Sequence, residues 1–170
     1  QVPIDYENLA VGKFDIAVMR HSGANAESNL VINPGGPGGS GVDYAYSYAS
    51  SFTPEVIDKF NLIGFDPRGV GRSAPIKSLS NSETDLFYSQ DSYPTTDADL
   101  AKLKAENEAF AKSCESKNRF LSFYSTANTA RDMDILRALI GDLKLNFLGK
   151  SYGTYLGALY AQFFPNNVGR

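Results

Sequence analysis

The chain has 170 residues, of which 42% are hydrophobic and 21% charged, a balance that excludes disordered and collagen-like classes and allows one sizeable core. A formal net charge of -3 leaves no basic stripe to neutralise phosphates, which sets nucleic-acid binding aside. No apolar run nears the roughly 20 residues of a bilayer span, and a single histidine, His21, with a single cysteine, Cys114, argues against a metal cluster or an internal disulfide.

The first residues, Gln1-Val2-Pro3-Ile4-Asp5-Tyr6, show neither the basic nor the apolar region of a signal peptide, so a soluble chain is expected. Lys13 to Arg20 carries large apolar residues at Phe14, Ile16 and Val18, the period of an early, antiparallel strand with one buried face. Asn29 to Asn33 and Phe60 to Asp66 are short, nearly continuous apolar runs followed by Gly/Pro turns, as expected of central parallel strands covered on both faces. Helices are predicted over Val42 to Ser50 and Pro54 to Lys59. From Pro75 to Thr96 the recurring Ser, Asn, Asp and Pro predict a surface loop. Asp97 to Lys117 reads as a long surface helix with Leu100, Leu103, Phe110 and Cys114 on one side. Thr126 to Ile140 reads as a helix capped by Thr126 or Asn128, striped by Met133, Leu136 and Ile140, and ended by Gly141. Leu143 to Leu148 is a further strand, and Tyr152 to Phe164 a helix that stops at Pro165. Alternating strands and helices of this kind predict an α/β fold, a mostly parallel sheet with helices on both faces.

Three constellations carry the chemistry. Gly149-Lys150-Ser151-Tyr152-Gly153 lies between a predicted strand and a predicted helix, the setting of a nucleophile elbow. Ser151 is the candidate nucleophile, with flanking glycines where side chains would collide; a glycine-rich helix start with an N-capping serine is the bland alternative. Asn33-Pro34-Gly35-Gly36-Pro37-Gly38-Gly39-Ser40-Gly41 can bring backbone N–H groups close to an oxyanion. Gly36 is the preferred donor and Gly35 the next, paired with the N–H of Tyr152. A phosphate loop lacks its required spacing here, and a flexible turn stays open as an alternative. Asp66-Pro67-Arg68-Gly69-Val70-Gly71-Arg72-Ser73 closes another strand; Asp66, Arg68 and Ser73 are expected to brace the loops and perform no chemistry.

These blocks, with Arg131-Asp132-Met133-Asp134 and Asn146 to Gly157, together resemble the tripeptidyl aminopeptidase branch of the α/β-hydrolases, which is related to the proline iminopeptidases. The resemblance runs from Val2 to Arg170. Where proline iminopeptidases have His before Gly-Gly-Pro-Gly, this chain has Pro34, which favours the tripeptidyl branch. The resemblance implies an α/β-hydrolase fold of which residues 1–170 are the N-terminal part of one catalytic domain. It implies a serine exopeptidase that releases tripeptides from peptides with a free N-terminus, needs no cofactor, and is secreted or held in the cell envelope.

A triad in this fold runs Ser, Asp, His along the chain, yet none of the residues from Tyr152 to Arg170 is Asp, Glu or His. His21 lies far upstream, where an exposed or capping role is expected. The implied partner is therefore a C-terminal segment of the same enzyme carrying the Asp, the His, the later strands and a helical cap. In its absence the strand before Ser151 is expected to be an exposed edge, and residues 1–170 alone to be inactive. Esterase or lipase chemistry on the same fold, and a binding module that retains the elbow as a relic, remain alternatives.

Overall fold

The computed structural model describes residues 1–170. They form two compact units, one of residues 1–75 with 122–170 and one of residues 76–121. No helix is long and apolar enough to cross a membrane.

The first unit is built on a four-stranded sheet. Its strands are β3 (Val18–His21), β4 (Ser28–Asn33), β5 (Phe60–Phe65) and β6 (Phe147–Gly149), in the order β3-β5-β4-β6. β3 runs antiparallel to β5, while β5 and β6 both run parallel to β4. β1 (Val2–Pro3) and β2 (Lys13–Phe14) make a separate antiparallel pair. The expected strand from Lys13 to Arg20 is thus two strands in two sheets. Its middle turns away because Ala17 donates its N–H to Ser73 Oγ and accepts from the Asp66 N–H.

The central runs are largely apolar because helices cover both faces of the sheet. On one face Val31, Ile63 and Phe65 pack with Met133 and Leu136 of α6 (Thr126–Leu139) and Leu156 and Tyr160 of α7 (Tyr152–Phe163). On the other, Ile32 and Leu62 pack with Ala45 of α1 (Gly41–Tyr46) and the partly buried Val56 of α3 (Pro54–Lys59). α1 lies so close to β5 that a Cβ on Gly64 would strike the Gly41 carbonyl. The predicted helix from Val42 to Ser50 is broken at Ser47, beyond which α2 (Tyr48–Ser51) starts afresh.

α6 is capped by Ser125, whose hydroxyl accepts from the Asn128 N–H, and not by Thr126 or Asn128. Thr126 is instead within 2.7 Å of the Tyr152 hydroxyl. β6 is shorter than predicted, with Leu143 exposed and Leu145 bridged in parallel to Val168. Asn167 to Arg170 runs along the free side of β6 through Leu145 N–H to Asn167 O (2.7 Å) and Phe147 N–H to Arg170 O (2.8 Å). The edge expected to be bare is therefore partly paired.

The second unit joins α4 (Asn81–Tyr88) to α5 (Asp97–Lys117) through a Phe87–Phe110 stack with ring centroids 5.0 Å apart. α4 lies inside the stretch predicted as loop. Its signal is the capping box of Ser80 and Glu83, a Ser-x-x-Glu start hidden among polar residues. α5 has the predicted bounds and buries none of its residues fully; Cys114 is half-buried and free.

Candidate active site

β6 ends at Gly149 and α7 begins at Tyr152, so the chain reverses its course at Lys150 and Ser151. Ser151 takes φ 52° and ψ -122°, a region essentially reserved for glycine, and strained for a residue with a Cβ. The turn is held by Gly153 N–H to Lys150 O (2.8 Å) and Thr154 N–H to Ser151 O (2.9 Å). A Cβ on Gly149 would strike the Gly153 carbonyl, and one on Gly153 would lie 2.9 Å from Asn33 Oδ1. The Ser151 side chain makes no capping bond to α7 and is exposed. The reading of Ser151 as a plain N-cap is thereby removed. Its hydroxyl stands at the positive end of the helix, where developing negative charge is favoured.

Asn33, the last residue of β4, lies beside Gly149 in the parallel register and is 1% exposed. Its carbonyl accepts from Lys150 N–H at 3.0 Å and its Oδ1 from Gly35 N–H at 2.9 Å. Gly35 has φ +97°, and a Cβ there would meet the Lys150 carbonyl at 2.5 Å and Ser151 Cβ at 2.9 Å. The glycine loop and the elbow are therefore in direct contact. Gly35 is removed from the candidate oxyanion donors, since its N–H is already given to Asn33. Its contribution is closeness of approach. The N–H groups of Gly36 and Tyr152 make no hydrogen bond within the chain.

Past the loop, Gly39 N–H returns to Gly35 O at 3.1 Å, and Ser40 caps α1 by accepting from Asp43 N–H. Ser40 Oγ donates to Asp66 Oδ1 at 2.6 Å, the Val42 N–H donates to the same oxygen, and the Arg72 N–H donates to Asp66 Oδ2. Burial alone would raise this carboxyl. The bonds from Ser40, Arg72 and Val42, with the Arg72 charge, hold it below the ordinary carboxylate range. Arg68 points the other way, into a buried pair with Asp132 at 2.6 Å, and also donates to the carbonyls of Pro3, Ile4 and Phe123. Asp66, Arg68 and Ser73 thus brace loops, as expected from the sequence.

Two further groups adjoin the elbow. Lys150 Nζ lies 5.1 Å from the Tyr44 ring centroid and 5.9 Å from that of Phe52, tying the elbow to α1 and the end of α2. His21 stands on β3, at the opposite edge of the sheet from β6, and stacks on Tyr48 with centroids 3.7 Å apart. No group of three His, Cys, Asp or Glu side chains could hold a metal ion. Sequence reasoning passed over Asn33 as an individual residue; the signal was an amide closing the apolar run Leu30 to Ile32 just ahead of the glycine loop.

The chain is 39% identical to the tripeptidyl aminopeptidase of Streptomyces lividans over 176 aligned positions, covering 99% of this chain and 33% of that protein. It is 37% identical to serine protease Hip1 of Mycobacterium tuberculosis, covering 98% of this chain and 33% of that one. The chain thus spans about a third of the length of the curated relatives it matches. Among solved structures, proline iminopeptidase from Mycobacterium smegmatis superposes with a TM-score of 0.55 at 19% identity, covering 92% of this chain and 39% of that one, a likeness of fold. Residues 29–170 match the family model described as alpha/beta hydrolase fold; with the strained serine at its strand-turn-helix elbow, the chain belongs to the α/β-hydrolases.

Proposed function

We propose that residues 1–170 are the nucleophile-bearing part of a serine exopeptidase that releases tripeptides from the free N-terminus of peptide substrates. The observation that carries this reading is Ser151 at φ 52°, exposed at the start of α7 with the glycine loop packed against it. Ser151 Oγ attacks the scissile carbonyl, and the N–H groups of Gly36 and Tyr152 receive the oxyanion of the tetrahedral intermediate. A histidine and an acidic residue from a C-terminal segment outside residues 1–170 complete the triad, the histidine taking the serine proton and passing it to the leaving amine. Water then releases the acyl product. The relatives' greater length supports such a segment, and the name of the Streptomyces relative supports a tripeptidyl product. No cofactor enters the scheme. A secreted or cell-envelope location accompanies it on the family resemblance, and fractionation of the source cells tests that.

The function is tested on the full-length protein with a fluorophosphonate probe and two substrate sets, tripeptidyl amides and short acyl esters. Stoichiometric label on Ser151 with amide turnover is expected. Ester turnover without amide turnover would reject the peptidase assignment and leave an esterase. Absence of label would reject acyl-enzyme chemistry and leave a binding module.

A further inference from the structure

Two bonds hold Gly35, one on each of the two peptides it joins. Its N–H is given to Asn33 Oδ1 at 2.9 Å, and its carbonyl accepts from Gly39 N–H at 3.1 Å. The N–H of Gly36 belongs to the same planar peptide as that carbonyl and, in the trans form, points the opposite way. Turning the Gly35 carbonyl into the loop therefore turns the Gly36 N–H out of it, where it meets no acceptor in the chain. Meanwhile the Asn33 carbonyl holds Lys150 N–H at 3.0 Å, one residue before the nucleophile. A single residue, 1% exposed, thus holds the residue before the candidate oxyanion donor and the residue before the candidate nucleophile, through two different oxygens.

A carboxylate in place of the amide would accept the same bond from Gly35, and more strongly. It would also put a buried negative charge beside the place where the reaction generates an oxyanion, and like charges at short range in a water-poor site disfavour one another. Asparagine meets both demands, an oxygen acceptor and no charge. We infer that Asn33 is a positioning residue of the oxyanion site, its neutral amide oxygen fixing the Pro34–Gly35 peptide and, through Gly35, the course of the adjoining Gly35–Gly36 peptide, so that the Gly36 N–H faces the reacting carbonyl oxygen. The inference rests on the acyl-transfer reading of Ser151 given above.

The experiment compares full-length wild type, Asn33→Asp and Asn33→Ala, using fluorophosphonate labelling of Ser151 and turnover of the tripeptidyl amide across a pH series. For Asn33→Asp, kcat near neutral pH is expected to drop roughly 10- to 100-fold, with KM within about threefold of wild type. Its rate relative to wild type should climb as the pH is lowered, because protonating the introduced carboxyl removes the charge and keeps an oxygen in place. Asn33→Ala, with no charge, is expected to lose about 10-fold in kcat at a ratio that does not vary with pH. An Asn33→Asp ratio that is flat with pH, or both variants within about twofold of wild type, overturns the inference. Should Asn33→Asp fail to fold, Asn33→Ala decides: lower kcat at unchanged KM supports the role, and unchanged kcat removes it. Wild type that takes no label refutes the acyl-transfer reading and this inference with it, whereas labelled wild type with unaffected variants refutes the role of Asn33 alone.

Discussion

Replacing Ser151 by glycine in the full-length protein is expected to abolish labelling and turnover while raising stability, because the nucleophile is held in a conformation unfavourable to any residue with a Cβ. At φ 52° and ψ -122° the residue is outside the left-handed helical well as well as the common regions. Such a position stores about 1–3 kcal/mol. Glycine releases that strain but loses more conformational freedom on folding, about 0.5–1 kcal/mol relative to alanine. Taken at mid-range, the difference predicts that Ser151→Gly is more stable than Ser151→Ala by about 1 kcal/mol. Ser151→Ala is the proper reference, since it removes the hydroxyl and keeps the Cβ. It should lie within about 0.5 kcal/mol of wild type, the side chain being exposed and not bonded to the helix. Urea denaturation at constant m-value measures the three proteins on one scale. A Ser151→Gly protein no more stable than Ser151→Ala would refute the claim that the elbow stores strain.

Gly35→Ala places a Cβ 2.9 Å from Ser151 Cβ at φ +97°; labelling by a fluorophosphonate should slow by at least about 10-fold, and an unchanged rate would show that the loop can retreat without consequence. Arg68→Met leaves the buried Asp132 carboxylate without its guanidinium and should cost about 3–5 kcal/mol in urea unfolding, much of it recovered in Arg68→Met with Asp132→Leu; a cost below about 1 kcal/mol would contradict the burial of that pair. Asp66 has a carboxyl held below its ordinary value, so its stabilising contribution is complete above the unfolded value of about 4 and is lost as the pH falls below it through the folded value. The stability gap between wild type and Asp66→Asn should therefore shrink on acidification below about pH 4, and a gap constant across thermal melts from neutral to acid pH would refute this.

Periodicity and composition were enough to locate the central strands, the helices from Pro54, Asp97, Thr126 and Tyr152, and the serine at the elbow. Each is written in local terms that any tertiary setting must respect: an apolar run of strand length, a helical stripe, a glycine pair around a serine. The missed helix Asn81–Tyr88 was also local, its capping box masked by a polar composition that suits loops equally well. The break at Asp15–Ala17 was different in kind. Alternation of Phe14, Ile16 and Val18 is compatible with one strand, and only the distant Ser73 hydroxyl and Asp66 N–H bend the chain there.

The candidate site divides along the same line. The sequence by itself determined which residue is the nucleophile candidate and that a glycine loop accompanies it, because a tight turn and a close backbone approach both demand glycine at set positions. Only the tertiary structure decided which loop amide is left unused. Gly35 and Gly36 are indistinguishable as neighbours in a run of glycines; they differ because Asn33, folded beside Lys150 by the pairing of β4 with β6, takes the Gly35 N–H for itself. Hydrogen-bond partners are assigned by which oxygen lies within reach, and reach depends on strand order, which no single stretch of sequence contains.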